Sequence, residues 1–233
     1  MQKKVMTKAE ILEQMHELCR ALTPEETELF VENMTIHTFR KNELIYRAGD
    51  MPNVMMCLLA GKVKVVREGV SGRQQIVRVR KPASYFGYRA SFAGQHFRTS
   101  AIAIEQSVVG MIPMRIITEV MRQSHRLCWF FIRQLSLSLG DADERTVNLT
   151  QKHIRGRLAE ALLFLKDSYG LEEDGSTLSI YLSREDLANL SNMTTSNAIR
   201  TLSGFAHEKL IAVDGRKIKF INEEEIRNIS KLG

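Results

Sequence analysis

The segment from Ser183 to Leu202 leaves a chain little choice but two short helices packed across a tight turn. Ser183 can accept a hydrogen bond from a free backbone N–H at a helix start, and Glu185 and Asp186 suit the positive end of that helix. Leu187, Ala188 and Leu190 form its inward face. Asn192 falls where the turn needs a residue with positive φ, a conformation that asparagine tolerates. Thr194 can cap a second helix whose apolar positions are Ala198, Ile199 and Leu202. That helix presents Thr195, Ser196, Asn197 and Arg200, and no acid occurs between Asp186 and Glu208. Hydrogen-bonding side chains on an acid-free helix are what a reader of the DNA major groove needs. An ordinary pair of packed helices is the competing reading.

The flanking residues extend the motif. Leu178 to Leu182 is expected to be a strand leading into it. Leu210-Ile-Ala-Val213, Asp214-Gly215 and Arg216-Lys-Ile-Lys-Phe-Ile221 read as a hairpin with a favoured Asp-Gly turn. The whole is then a winged helix, with Arg216 and Lys217 placed to meet phosphates. Charge supports this only locally. The net charge is +6, but from Lys152 onward twelve basic side chains balance twelve acidic ones. The stretch from Lys62 to Arg98 carries nine Lys or Arg against the single acid Glu68.

Upstream, residues 7–34 have helical character, with Thr7 and Thr23-Pro24-Glu25-Glu26 as helix starts. From about 35 to 112, short β-type runs alternate with glycine turns such as Ala60-Gly61 and Ser71-Gly72. This pattern predicts a small antiparallel barrel or jelly roll. A short helix follows Pro113, then a long one over 125–150. In the long helix Leu127, Phe131, Leu135, Ser138, Ala142, Arg145 and Leu149 recur at spacings of four and three, a seam suited to the same helix of a second subunit. The alternative is a face buried within the chain itself. Another helix covers 152–169. The fold class is therefore α+β: a β-rich domain over 1–123, a dimerisation helix over 124–151 and a winged helix over 152–233.

Several classes of function are disfavoured. No apolar run approaches the roughly 18–20 residues of a membrane span, and the basic start, residues 1–8, is not followed by the apolar region of a signal peptide. A cytoplasmic protein is expected. Cys19, Cys57 and Cys128 form no metal-ligand spacing, so neither zinc nor iron–sulfur is expected, and three separate thiols suit a reducing compartment. His37, His96, Cys57 and His125, the candidates for an axial haem ligand, stand alone. A jelly-roll enzyme of the cupin kind needs clustered histidines on the strands, and His37 and His96 are outside any such motif, so no catalytic residue or metal site is assigned.

The order of parts, together with Leu44-Ile-Tyr-Arg-Ala-Gly49-Asp50, Leu59-Ala-Gly61-Lys-Val-Lys-Val65, Tyr85-Phe-Gly87, Phe97-Arg98-Thr99-Ser100, Ile154-Arg-Gly156-Arg157 and Ser183 to Leu202, resembles the Crp/Fnr family of bacterial transcription regulators over nearly the whole chain. The resemblance implies a cyclic-nucleotide-binding-type sensor, a relay helix that dimerises, and binding to double-stranded DNA at a palindromic operator with RNA polymerase as a further partner. It implies bases read by Arg200 with Ser196 or Asn197, and phosphates held by Thr194, Arg216 and Lys217, with Thr195 beside them. Nucleotide-binding members follow the pocket glycine with a glutamate for the ribose and, eleven residues on, an Arg-Thr or Arg-Ser pair for the phosphate. Here Gly87 is followed by Tyr88, while Arg98-Thr99 is intact. A missing buried acceptor costs about 1–3 kcal/mol, so cyclic AMP is not the expected ligand. The expected effector is another anion, held by Tyr85, Gly87, Tyr88, Arg89, His96, Arg98 and Thr99. The alternative is a regulator competent for DNA with an empty pocket.

Overall fold

The computed structural model describes residues 6–69 and 72–233; the first five residues of the basic start and Ser71 of the expected Ser71-Gly72 turn lie outside them. The elements run α1 (Lys8–Gln14), α2 (His16–Cys19), α3 (Pro24–Glu32), β1 (Thr35–Phe39), β2 (Leu44–Tyr46), β3 (Val54–Ala60), β4 (Val63–Glu68), β5 (Gln74–Arg80), β6 (Tyr85–Phe86), α4 (Tyr88–Phe92), β7 (Ser100–Ala103), β8 (Ser107–Pro113), α5 (Met114–Met121) and α6 (His125–Gln151). Then come α7 (Ile154–Tyr169), α8 (Arg184–Leu190), α9 (Thr195–His207), β9 (Ile211–Asp214), β10 (Lys217–Phe220) and α10 (Glu223–Leu232). The α+β architecture of a β jelly roll, a long helix and a helix-turn-helix is as the sequence indicates.

The chain divides into two compact units, Met1–Arg67 with Val77–Leu139 and Glu68–Ile76 with Gly140–Gly233. The division cuts through α6, and the connection between β4 and β5 goes with the C-terminal residues.

The first unit contains two four-stranded sheets, ordered β1-β8-β3-β6 and β2-β7-β4-β5. Strand β3 buries both faces, and its pleat sorts its side chains between two cores. Met56 and Leu58 join Val63, Val65, Phe86, Phe97, Ala101 and Val109 in one core. Met55, Cys57 and Leu59 join Leu18, Phe30, Ile117, Leu127 and Phe131 in the other, which the helices cover. The same alternation separates Tyr85 from Phe86. Both threonine starts expected in 7–34 form capping boxes, Thr7 with Glu10 and Thr23 with Glu26.

The second unit packs α7 against α10 and places α8 and α9 beside them. Asn222 caps α10 by accepting from the Glu225 N–H at 3.1 Å, with three acids in the first turn. Leu178–Leu182 is not a strand. Thr177 and Leu178 make only isolated bridges, to Lys219 and Leu171. Asp174 organises that loop instead: it accepts from the Ser176 and Thr177 N–H groups at 3.0 and 2.8 Å and lies 3.4 Å from the Lys219 ammonium. Among the described residues no helix is long and apolar enough to cross a membrane, and no group of His, Cys, Asp and Glu could hold a metal.

Candidate nucleic-acid interface and ligand pocket

The helix-turn-helix closes through local bonds. Ser183 Oγ accepts from the Asp186 N–H at 3.0 Å, Asn192 adopts φ of 51°, and the Met193 N–H donates to the Ala188 carbonyl at 3.0 Å. Thr194 caps α9 by accepting from the Asn197 N–H at 3.3 Å. Inside, Ala198, Leu202 and Phe205 fix α9 at spacings of four and three. Ile199 is not an inward position, being 48% exposed. It shares the outer face with Thr195 and Arg200, where an aliphatic side chain can meet a thymine methyl. The sequence pattern offered Phe205 as the third inward residue, and its fit would have freed Ile199. Thr194, Thr195, Ser196 and Arg200 are exposed, whereas Asn197 is only partly so.

The wing is a two-stranded ribbon in which Lys217 pairs with Asp214 and Phe220 with Ile211. Asp214 is thus a strand residue, and the two-residue turn is Gly215-Arg216, one position beyond the expected Asp-Gly. This register puts Arg216 at the tip, with Lys217 exposed beside it. Arg184, the first residue of α8, donates to the Gly215 carbonyl at 2.6 Å and so ties the wing to the helix-turn-helix. The helix, cap and wing tip present donors and three cations, Arg200, Arg216 and Lys217, on exposed surface, with Lys219 already engaged by Asp174. Burial of phosphate-binding arginine is not required for such a surface; exposed cations acting on a phosphate backbone suffice.

In the first unit the residues expected around an effector are dispersed. Tyr85 is a correction: its ring packs edge-on against Phe130 at 5.6 Å in the helix-covered core, because β6 points residue 85 away from Phe86. Gly87 is a backbone device, with φ of 89° and a position where a Cβ would lie 2.4 Å from Met56 Cε. His96 and Arg98 are exposed, and His96 Nδ1 lies 2.8 Å from the Gly49 carbonyl, an anchor for its loop.

Thr99 has a partner the sequence reading missed, whereas Tyr88 joins Tyr85 in the helix-covered core. Tyr46 stacks on Phe97 at 4.0 Å between centroids, and its hydroxyl is 3.2 Å from that of Thr99. Tyr88 packs on Phe131 at 5.1 Å. Burial pushes both phenols above their ordinary range, and the positive charges of Arg80, Arg78 and Arg89 pull both back. Arg78 and Arg80 share one face of β5 by the pleat, and Arg78 donates to the Ser138 carbonyl at 3.2 Å. The signal was present as Arg-Val-Arg within the basic stretch.

The dimerisation seam also needs correction. Leu127 and Phe131 are 0% and 2% exposed within their own core, and Leu135 packs against it. Ser138, Ala142, Arg145 and Leu149 are on the same partly covered side. Leu137 is 55% exposed on another side of α6, and Trp129, Ile132, Leu139 and Val147 are exposed at 69, 49, 64 and 49%. These four lie about a third of a turn around the helix.

With this geometry in view, comparison with known proteins is informative. The cyclic nucleotide-binding domain family matches residues 36–124 and the Crp-like helix-turn-helix domain family residues 156–229. The chain is 27% identical over 185 residues to the transcriptional regulator LdrP of Thermus thermophilus, covering 79% of this chain and 91% of that one. It is 21% identical over 189 residues to a CRP-like cAMP-activated global transcriptional regulator of Mycobacterium tuberculosis, covering 81% and 84%. In fold it is similar to FixK2 from Bradyrhizobium japonicum, with a TM-score of 0.75 at 22% identity over 84% of this chain and 96% of that one.

Proposed function

Since this chain belongs to the Crp/Fnr family of transcription regulators, we propose that it binds a palindromic operator as a homodimer under the control of an anionic small molecule other than cyclic AMP. The observation that carries the DNA reading is the outer face of α9, where Thr195, Ser196, Ile199 and Arg200 are exposed together within reach of chain that ends in the basic wing turn Gly215-Arg216. Arg200 suits guanine and Ile199 a thymine methyl. Thr194, Arg216 and Lys217 suit phosphates, with Asn197 in a supporting place.

Trp129, Ile132, Leu139 and Val147 support the homodimer, because one helix exposing such a stripe on one side gains from burying it against a copy of itself. For the effector, Tyr88 replaces the carboxylate that a ribose would need, while Arg78, Arg80 and Arg89 gather positive charge about the Tyr46, Tyr88 and Thr99 hydroxyls. Such a set favours an anion without a ribose requirement. The M. tuberculosis relative is named as cAMP-activated; the expectation for this chain differs on the residue that follows Gly87. A regulator competent without ligand is the second reading, supported by the Tyr46–Phe97 stack that occupies the same core. The protein would act in the cytoplasm, without catalysis, and change transcription through RNA polymerase.

Selection of genomic DNA fragments by the purified protein, followed by sequencing, tests the proposal. Enrichment of a two-fold palindrome is expected once a suitable anion is added. Enrichment to the same extent without any anion would replace effector control by the second reading, and sequences without two-fold symmetry would remove the homodimer on its operator.

A further inference from the structure

The β4–β5 turn leads into Gly72–Ile76, an arm that includes the start of β5 and belongs to the same compact unit as the helix-turn-helix. Its side chains are bound to that motif. Arg73 Nη2 donates to Asn192 Oδ1 at 3.2 Å, at the turn between α8 and α9, and Gln75 Nε2 reaches the Leu190 carbonyl at 3.5 Å. Arg145 of α6 joins the two: its Nη2 donates to the Ile76 carbonyl at 2.6 Å and to the Leu190 carbonyl at 3.0 Å. Leu190 ends α8, so its carbonyl lacks an intrahelical partner and the helix dipole favours a cation there.

What the arm faces is the interface already described. A groove of about 410 Å³ lies between Gly72, Arg73 and Gln74 on one side and Glu185, Asn189, Thr194 and Thr195 on the other. Glu185 and Asn189 share one face of α8, and Thr194 and Thr195 open α9. A recognition helix needs the walls of a major groove, about 12 Å apart and about 8.5 Å deep, to close around it. The arm lies across the groove from the cap and first turn of that helix, the end that a duplex would have to reach.

We infer that the arm Gly72–Ile76 is an intramolecular stop, held on the helix-turn-helix by Arg73, Gln75 and Arg145, and that double-stranded DNA binds only after it leaves. This rests on the DNA-binding face proposed above and adds a regulatory contact to it. The stop competes for the cap and first turn of α9, so it lowers the affinity for any DNA sequence by the fraction of molecules in which it is released. Arg145 is the latch. Its Nη2 alone serves the carbonyls of the arm and of α8 together, at a reach that the shorter lysine side chain does not match.

The test is a titration of the full-length protein with a labelled random-sequence DNA duplex at low salt, where phosphate contacts dominate. The double variant Arg73→Ala, Gln75→Ala keeps Arg145 and the sheets. It should bind roughly three- to tenfold more tightly than the natural chain, and Arg145→Lys should act in the same direction. Unchanged affinity for both overturns the stop. Weaker binding by the double variant, with the salt slope reduced by about one, overturns it in favour of Arg73 as a phosphate contact. A third variant, Arg216→Ala with Lys217→Ala, separates the two levels. If it weakens binding while the arm variants do not tighten it, the stop alone fails; if it binds as the natural chain does, the DNA face fails and the stop with it.

Discussion

Gly61 stands where β3 turns into β4, with φ of 86° and a hypothetical Cβ that would lie 2.4 Å from Ser107 Oγ and 2.5 Å from the Gln106 carbonyl. Neither the left-handed backbone nor the closeness to a neighbouring backbone admits a side chain, so Gly61→Ala should lower stability by at least about 2 kcal/mol in urea unfolding. An unchanged midpoint would mean that the Gln106-Ser107 turn yields freely. At the same scale, Arg200 is exposed on α9 and its loss removes donors without opening a cavity. Arg200→Ala should weaken operator binding by roughly 1–3 kcal/mol and relax the sequence requirement at one base pair, with the unfolding temperature unmoved. Residue types at turns were legible because their causes are local: Asn192 was read as the positive-φ residue of the turn and has φ of 51°. Tyr85 was misplaced because a tyrosine beside a glycine does not disclose which side of a strand it will take. That depends on the parity of β6 against β3, where Cys57 pairs with Tyr85 and Met56 with Phe86.

Among elements, α6 carries two apolar arcs, and the periodicity of the sequence reveals both without saying what covers each. The arc through Leu127 and Phe131 is covered by α1, α2, α3 and α5 residues of its own chain. Leu127→Ala should therefore cost about 2–5 kcal/mol of unfolding free energy. The arc through Ile132 and Leu139 is exposed. Ile132→Glu with Leu139→Glu should leave the circular dichroism spectrum intact and halve the mass in solution, as sedimentation would show. A dimer that survives this pair places the interface elsewhere. The loop before α8 depends on a carboxylate. Backbone hydrogen bonds from Thr177 and Ser176, with the Thr177 hydroxyl and Lys219 behind them, hold the Asp174 carboxyl well below its usual range. A folded value below the unfolded one means that the stabilisation is fully present above about pH 4 and is lost as pH falls through the folded value. The difference in melting temperature between the natural chain and Asp174→Asn should accordingly be constant at neutral pH and shrink in strong acid.

For the molecule as a whole, thermal stability should respond to ligand chemistry. An anion that binds the folded sensor at a hundredfold over its dissociation constant adds about 2.7 kcal/mol, and replacing Arg80 or Arg89 by Gln should reduce that gain; cyclic AMP at equal concentration should give less. Equal stabilisation by cyclic AMP would show that Tyr88 does not prevent ribose binding. The sequence by itself determined the succession of parts, the helix caps, the helix-turn-helix and the residues of the wing, since each depends on neighbours a few positions away whose spacing is written in the chain. Asn222 and the acids of α10 form a helix start of the same local kind that went unread. Only the tertiary structure decided which arc of α6 is buried, that Tyr46 meets Phe97 and Thr99, and that Arg73 meets Asn192. Those contacts join residues from separate segments, and what brings them together is strand pairing and helix packing, which act at distances along the chain that no local pattern records.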